Sequence, residues 1–193
     1  MGGSTSGKMA FVLDDGVAKQ MLENGIDDEG PLPAPLDVYR DVVRPEWIDF
    51  NGHMNAGYYM VAFDDAISPW SRFYGMTDDH RARRRVTTFS ADNHITYERE
   101  LREGTRIGIT TQLLAYDRKR IHAFQVMYEL NSGTEAATNE VMSLHISEAT
   151  RRVSEMDDAV FAQLGRVWAS HRLLPWPRQA RRIMNVKGWE YPT

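Results

Sequence analysis

Residues 55–75 read Asn55-Ala-Gly-Tyr-Tyr-Met-Val-Ala-Phe-Asp-Asp-Ala-Ile-Ser-Pro-Trp-Ser-Arg-Phe-Tyr-Gly75. Tyr59, Phe63, Ala66, Ile67, Trp70 and Tyr74 recur at the three- and four-residue intervals of a helix face. Residues 56–63 are apolar nearly all round, which predicts a helix enclosed by other elements rather than laid on a surface. Pro69 has no N–H to give and its ring crowds the carbonyl four residues back, so it is expected to kink or end the main segment.

Four runs of period-two alternation follow. Over residues 86–101 the apolar face is Phe89, Ala91, Ile95, Tyr97 and Leu101; over 105–115 it is Ile107, Ile109 and Leu113. Over 120–130 it is Phe124, Val126, Tyr128 and Leu130, and over 135–146 it is Met142, Leu144 and Ile146. Alternation sustained this long is a strand signal, and the short turns between the runs predict antiparallel hairpins. Upstream, Val38, Tyr39, Val42 and Val43 make a first strand ending near Pro45, and residues 157–170 read as a closing amphipathic helix. One enclosed helix followed by a meander of long strands is an α+β layout in which the sheet wraps the helix, the hotdog architecture.

Outward from this core, Gly30-Pro31-Leu32-Pro33-Ala34-Pro35 is a linker, and residues 9–26 suit a short amphipathic helix. The expected organisation is an N-terminal arm and linker over 1–35, the core domain over 36–170 and a basic tail over 171–193. With 193 residues the chain has room for one domain with a sizeable core. The absence of cysteine excludes disulfides, thiolate metal sites and thiol nucleophiles. No apolar run approaches the ~20 residues of a membrane span, and residues 1–8 lack the apolar stretch of a signal peptide, so no membrane partner and a cytoplasmic location are expected. The formal net charge of −4 is unevenly spread: residues 1–37 hold seven acidic and two basic side chains, residues 163–193 six basic and one acidic. Trp176, Ile183 and Trp189 interrupt the basic tail, which argues for a solvated or docking arm rather than a nucleic-acid partner.

The segment Asp49-Phe50-Asn51-Gly52-His53-Met54-Asn55, running into Tyr58-Tyr59, resembles the Asp-x-x-Gly-His-x-Asn signature of the 4-hydroxybenzoyl-CoA thioesterase-like hotdog family. There it closes the first strand and opens the central helix. Arg44-Pro45-Glu46-Trp47-Ile48 before it, and Ala137-Thr138-Asn139-Glu140 in the last long strand, look like the betainyl-CoA thioesterase subgroup found beside or fused to carnitine dehydrogenases. The likeness spans roughly residues 38–150 and leaves both arms outside it. It implies hydrolysis of a small acyl-CoA, betainyl-CoA in the closest case, without metal or organic cofactor. It also implies a homodimer with the acyl pocket between subunits, a homotetramer remaining open.

A thioester already carries a good leaving group, so the site must supply a base or nucleophile and must stabilise charge on the carbonyl oxygen. The resemblance gives the first task to Asp49, as base or nucleophile; capping the helix is the alternative. Free N–H groups among residues 53–58 suit the second task. Asn55 either orients Asp49 or caps the helix, and His53 is either a second base or a structural hydrogen-bonding residue. Asn51 and Gly52 shape the substrate loop, Gly52 by permitting a turn a side chain would block. Asp64, on the helix where other hotdog branches carry their carboxylate, is the reserve candidate. Trp47, Tyr58 and Tyr59, with Phe63 and Trp70, are core or a wall for a quaternary ammonium. Arg84, Arg118 and Arg120 are candidates for the phosphates of coenzyme A, or simply solvated turns. There is no serine-hydrolase elbow, dinucleotide fingerprint or metal-ligand spacing. Two other readings stay open: a hotdog acyl-CoA hydratase or dehydratase, and a non-catalytic acyl-CoA-binding protein.

Overall fold

The computed structural model describes residues 32–182 and 184. The helix expected over 9–26 and the start of the linker lie outside the described residues. The central segment folds as two helices, α1 (Ala56–Asp65) and α2 (Ile67–Phe73), broken at Ala66. Pro69 stands four residues beyond Asp65, so the missing N–H falls opposite the last carbonyl of α1. Only one side of α1 is enclosed: Tyr59, Ala62 and Phe63 are buried, while Gly57, Val61, Asp64 and Asp65 are exposed. The all-round burial expected from residues 56–63 is therefore corrected within a single chain. A short helix that the strand pattern did not anticipate, α3 (Asp78–Arg84), precedes the meander.

The strands are β1 (Leu36–Val42), β2 (Val86–Tyr97), β3 (Arg106–Tyr116), β4 (Arg120–Glu129), β5 (Glu135–Ser147) and the short β6 (Arg152–Val153). They form one antiparallel sheet in the order β1-β3-β4-β5-β2, with β6 beside β5. The hotdog fold is thus borne out. Helix α4 (Asp158–His171) packs on β3, capped by the Asp157 carboxylate on the Val160 N–H at 3.0 Å.

Two expected strand faces are inverted. Ile121 and Met127 pack among the buried cores around the helices, and buried Gln125 donates to the Phe63 carbonyl of α1 at 3.1 Å. The odd residues of β4 therefore face the helix, and Phe124, Val126 and Tyr128 face the other way. Register carries this into β5, where Asn139 and Val141 face the helix and Met142 and Leu144 lie outward. In β2 a bulge between Ser90 and Asp92 breaks the expected single face, and Phe89 and Tyr97 are exposed.

The outward face of β4 is apolar because the chain returns over it. After α4, residues 172–182 form a strap crossing the sheet strand by strand. Gln112 of β3 donates to the Pro175 carbonyl at 3.4 Å, and the Trp176 ring lies edge-on to His122 of β4. Glu140 of β5 accepts from the Arg181 N–H at 2.6 Å, and Gln179 donates to Glu98, just past β2, at 3.3 Å. His171 locks the start of this return. Its Nδ1 accepts from the Leu113 N–H at 2.8 Å, and its Nε2 lies 3.1 Å from the Pro33 carbonyl.

Candidate active site

After β1 the chain makes a single 3-10 turn (Pro45–Trp47) and enters the motif loop. Ile48 and Met54 bridge across the loop, and the Asp49 N–H donates to the His53 carbonyl at 3.0 Å, closing a tight excursion. Gly52 sits at its tip with φ +80°, a left-handed conformation that side chains resist. The Asp49 carboxylate has two environments. Oδ1 accepts from the Asn51 N–H at 2.8 Å, while Oδ2 has no protein partner among the described residues. The side chain is 17% exposed. The loop fixes one oxygen and leaves the other to face solvent or ligand.

A cleft of about 350 Å³ opens beside it, lined chiefly by Asp49 and His53 from the loop, Ala56 and Tyr59 from α1, and Tyr97 and Glu100 from the end of β2 and just past it. Carboxylate and helix start thus share one small volume. His53 stands between two carboxylates, its Nδ1 4.0 Å from Asp49 and its Nε2 3.3 Å from Glu100. Asn55 is the helix cap: its Oδ1 accepts from the Gly57 N–H at 2.9 Å and its carbonyl from the Tyr58 N–H at 2.9 Å. Met54 donates to the Leu101 carbonyl and Asn55 to that of Trp47. Of the N–H groups over 53–58, those of His53 and Ala56 remain without a partner among the described residues.

The aromatic residues at the cleft are Tyr59 and Tyr97, edge to face with ring centroids 5.3 Å apart. Burial pushes the Tyr59 phenol above its ordinary value and keeps its proton, which it donates to the Arg99 carbonyl while accepting the Leu101 N–H. Trp47 and Tyr58 lie outside the lining. They stack on each other at 5.6 Å, with the Arg44 guanidinium 4.5 Å above the Trp47 ring. Phe63 and Trp70 are buried core. Asp64 lines a separate cleft of about 420 Å³ with Ile67, Ser68 and Phe89. Arg84 pairs with Asp157, Arg118 with Asp158 and Arg120 with Asp117. The turn carrying Arg118 and Arg120 lies toward the other end of the sheet: Arg120 pairs with Leu144 of β5, about 23 Å of strand from Ala137, which pairs with the cleft residue Tyr97.

Sequence reading missed Tyr97, Glu98, Arg99 and Glu100. Their signal was the charged run at the end of β2, which was absorbed into the strand. It also missed a buried amide chain running from Gln125 to Asn139 and on to Asn93, with contacts of 3.0 and 3.1 Å. Both Gln125 and Asn139 are fully buried, and Asn139 Oδ1 is left without a partner among the described residues. The Phe63 carbonyl, an obligatory acceptor, sets the orientation of the whole chain.

Residues 43–164 match the thioesterase-like superfamily. The chain belongs to that superfamily and is a thioester hydrolase of the hotdog fold. Its relatives include the betainyl-CoA thioesterase of Pseudomonas aeruginosa, 32% identical over 151 residues, which are 78% of this chain and 95% of the relative. The L-carnitine dehydrogenase/betainyl-CoA thioesterase of a Rhizobium species is 28% identical over 153 residues, and this chain spans 31% of that longer protein. A Staphylococcus aureus protein solved in complex with CoA superposes with a TM-score of 0.73 at 27% identity, covering 81% of this chain and 99% of that one. A putative thioesterase from Pseudomonas putida shares the fold, with a TM-score of 0.69 and 23% identity over 80% of this chain and 98% of its own.

Proposed function

We propose that the protein hydrolyses the thioester of a small acyl-CoA, betainyl-CoA first among them, with Asp49 as the base. One observation carries the reading: Asp49, with one unpartnered oxygen, and His53 and Ala56, with unpartnered N–H groups among the described residues, line the same cleft. Asp49 takes a proton from water as its oxygen attacks the carbonyl carbon. The oxyanion is held by N–H groups at the helix start, where the helix dipole favours negative charge. Collapse expels the coenzyme A thiolate, which recovers the proton from Asp49 and leaves the free acid. His53 orients and polarises Asp49, with Glu100 on its far side. Asn55 acts through the helix start it caps. Tyr59 and Tyr97 form the aromatic wall that suits a cationic acyl group.

The acting unit is proposed to be a cytoplasmic homodimer, with the domain over 36–170 and arms on either side. The free edge of β2 and the bare side of α1 lie together, since Asp64 and Ser68 share a cleft with Phe89. A twofold pairing of β2 edges sets the start of one strand beside the end of the other. It thereby brings the Asp64 cleft of one subunit toward the Asp49 cleft of its partner.

The experiment is a coenzyme A release assay, which counts free thiol and so separates hydrolysis from hydration of an acyl-CoA. Asp49→Asn is expected to fold and assemble normally while turnover falls by about 100-fold or more. Equal turnover in variant and parent removes Asp49 from the mechanism. A flat profile across betainyl, short aliphatic and aromatic acyl-CoAs removes the cationic preference alone.

A further inference from the structure

We infer that the strap over residues 172–182 holds the phosphate groups of the substrate's coenzyme A portion, through Arg178 and Arg182 acting with Arg99 at the rim of the Asp49 cleft. The inference rests on the acyl-CoA reading above. The pantetheine arm carries those phosphates well clear of the reacting carbonyl, so the cations that hold them belong on the rim and not in the cleft. The rim by itself is acidic: Asp49, Glu98 and Glu100 outnumber Arg99 and the exposed Arg102, which stands 4.0 Å from Glu100. A multiply charged anion approaching three carboxylates needs opposing charge close by.

The basic clusters that the sequence offers in the matched region add nothing to Arg99 and Arg102 there. Arg84, Arg118 and Arg120 are tied to aspartates, and the latter two lie at the other end of the sheet. Residues 172–182 fall beyond the matched region, which ends at residue 164. Their path delivers the basic tail to the rim, because Gln179 bonds the cleft-wall residue Glu98. That contact also occupies one of the three rim carboxylates.

Arg178 and Arg182 flank this contact, are exposed, and have no carboxylate partner among the described residues. Arg178 borders a cavity of about 490 Å³ that also holds Glu135, yet the two form no ion pair. Arg181 between them is used differently. Its N–H is bonded to Glu140 and its guanidinium lies 4.9 Å over Trp176. Its φ of +57° is unusual for a side-chain-bearing residue and holds the strap in one bend. The strap is thereby anchored on both sides of Arg178, and its free guanidiniums match phosphate in geometry as well as charge.

The test compares the acyl-CoA that the release assay ranks best with the same acyl group on N-acetylcysteamine, which carries no phosphate. Arg178→Ala with Arg182→Ala, both exposed and outside the catalytic cleft, is expected to raise KM for the acyl-CoA about tenfold. It should leave kcat within about twofold, and leave the N-acetylcysteamine thioester unaffected. The 3'-dephospho form of the acyl-CoA shows which phosphate is read, by the share of the KM rise it already carries in the parent. An unchanged KM for the acyl-CoA overturns the inference. So does an equal loss on both thioesters, which would mean that the strap only shapes the cleft. A parent that turns over both thioesters with the same KM overturns phosphate recognition while leaving thioester hydrolysis standing; a parent inactive on every acyl-CoA brings down the acyl-CoA reading and this inference together.

Discussion

The role proposed for Asp49 rests on what surrounds each of its oxygens rather than on burial. One oxygen is pinned by the backbone of its own loop and the other has no partner among the described residues, the arrangement that the proposed reaction asks of a base. The same logic of donors and acceptors governs the amide chain under α1. Gln125 serves two partners at once, giving a proton to the Phe63 carbonyl and taking one from Asn139. Gln125→Leu leaves the Phe63 carbonyl without this donor and Asn139 with Asn93 alone, and is expected to cost about 2–4 kcal/mol of unfolding free energy in urea. Adding Asn139→Leu removes one orphan and should restore part of that loss. A fully additive double variant would show that the two amides do not interact.

At the scale of elements, the break between α1 and α2 and the clasp at the end of α4 set where the active face lies. Pro69 ends α1 one residue short of Ala66, so the helix presents its start to the cleft and its exposed side to the edge of β2. His171 ties α4 to β3 and to Pro33, and burial pulls its pKa down to about 4; burial lowers that of His145 also. A histidine kept neutral in the fold takes its proton more readily when unfolded. Its stabilising effect is complete above the ordinary value near 6.5 and declines as pH falls toward 4. From His171 alone the loss is about 3 kcal/mol across that window. Urea midpoints between pH 7.5 and 4 should fall accordingly, and His171→Gln, which cannot titrate, should flatten the slope. An equally steep slope in that variant would assign the acid sensitivity elsewhere.

At the scale of the whole molecule, the sheet wraps only part of the way round its helix. Val61, Phe89 and Tyr97 are exposed large side chains on or beside the gap. No described helix is long and apolar enough to cross a membrane. A second copy paired along β2 would cover this gap. Phe89→Glu, on an exposed residue, is expected to leave the fold intact and shift the proposed dimer to monomer in sedimentation. Thioester hydrolysis should fall in parallel if the proposed dimer completes each cleft across its boundary. A monomer of undiminished activity would place the whole site within one chain.

The pattern along the chain determined the kinds of the main elements and their order, α3 and the short β6 apart, because helix and strand periods are set by local backbone geometry. It also located the motif loop, since Gly52, Asp49 and Asn55 act on backbone within a few residues of themselves. Which way β4 and β5 face was settled only by tertiary structure. Alternation reveals a period but not its sign when both faces of a strand are covered, and here the strap covers one face as the helix covers the other. The charged run at the end of β2 became the far wall of the cleft for the same reason. A meander returns residues forty positions apart to one another, and no local rule says which of them will meet.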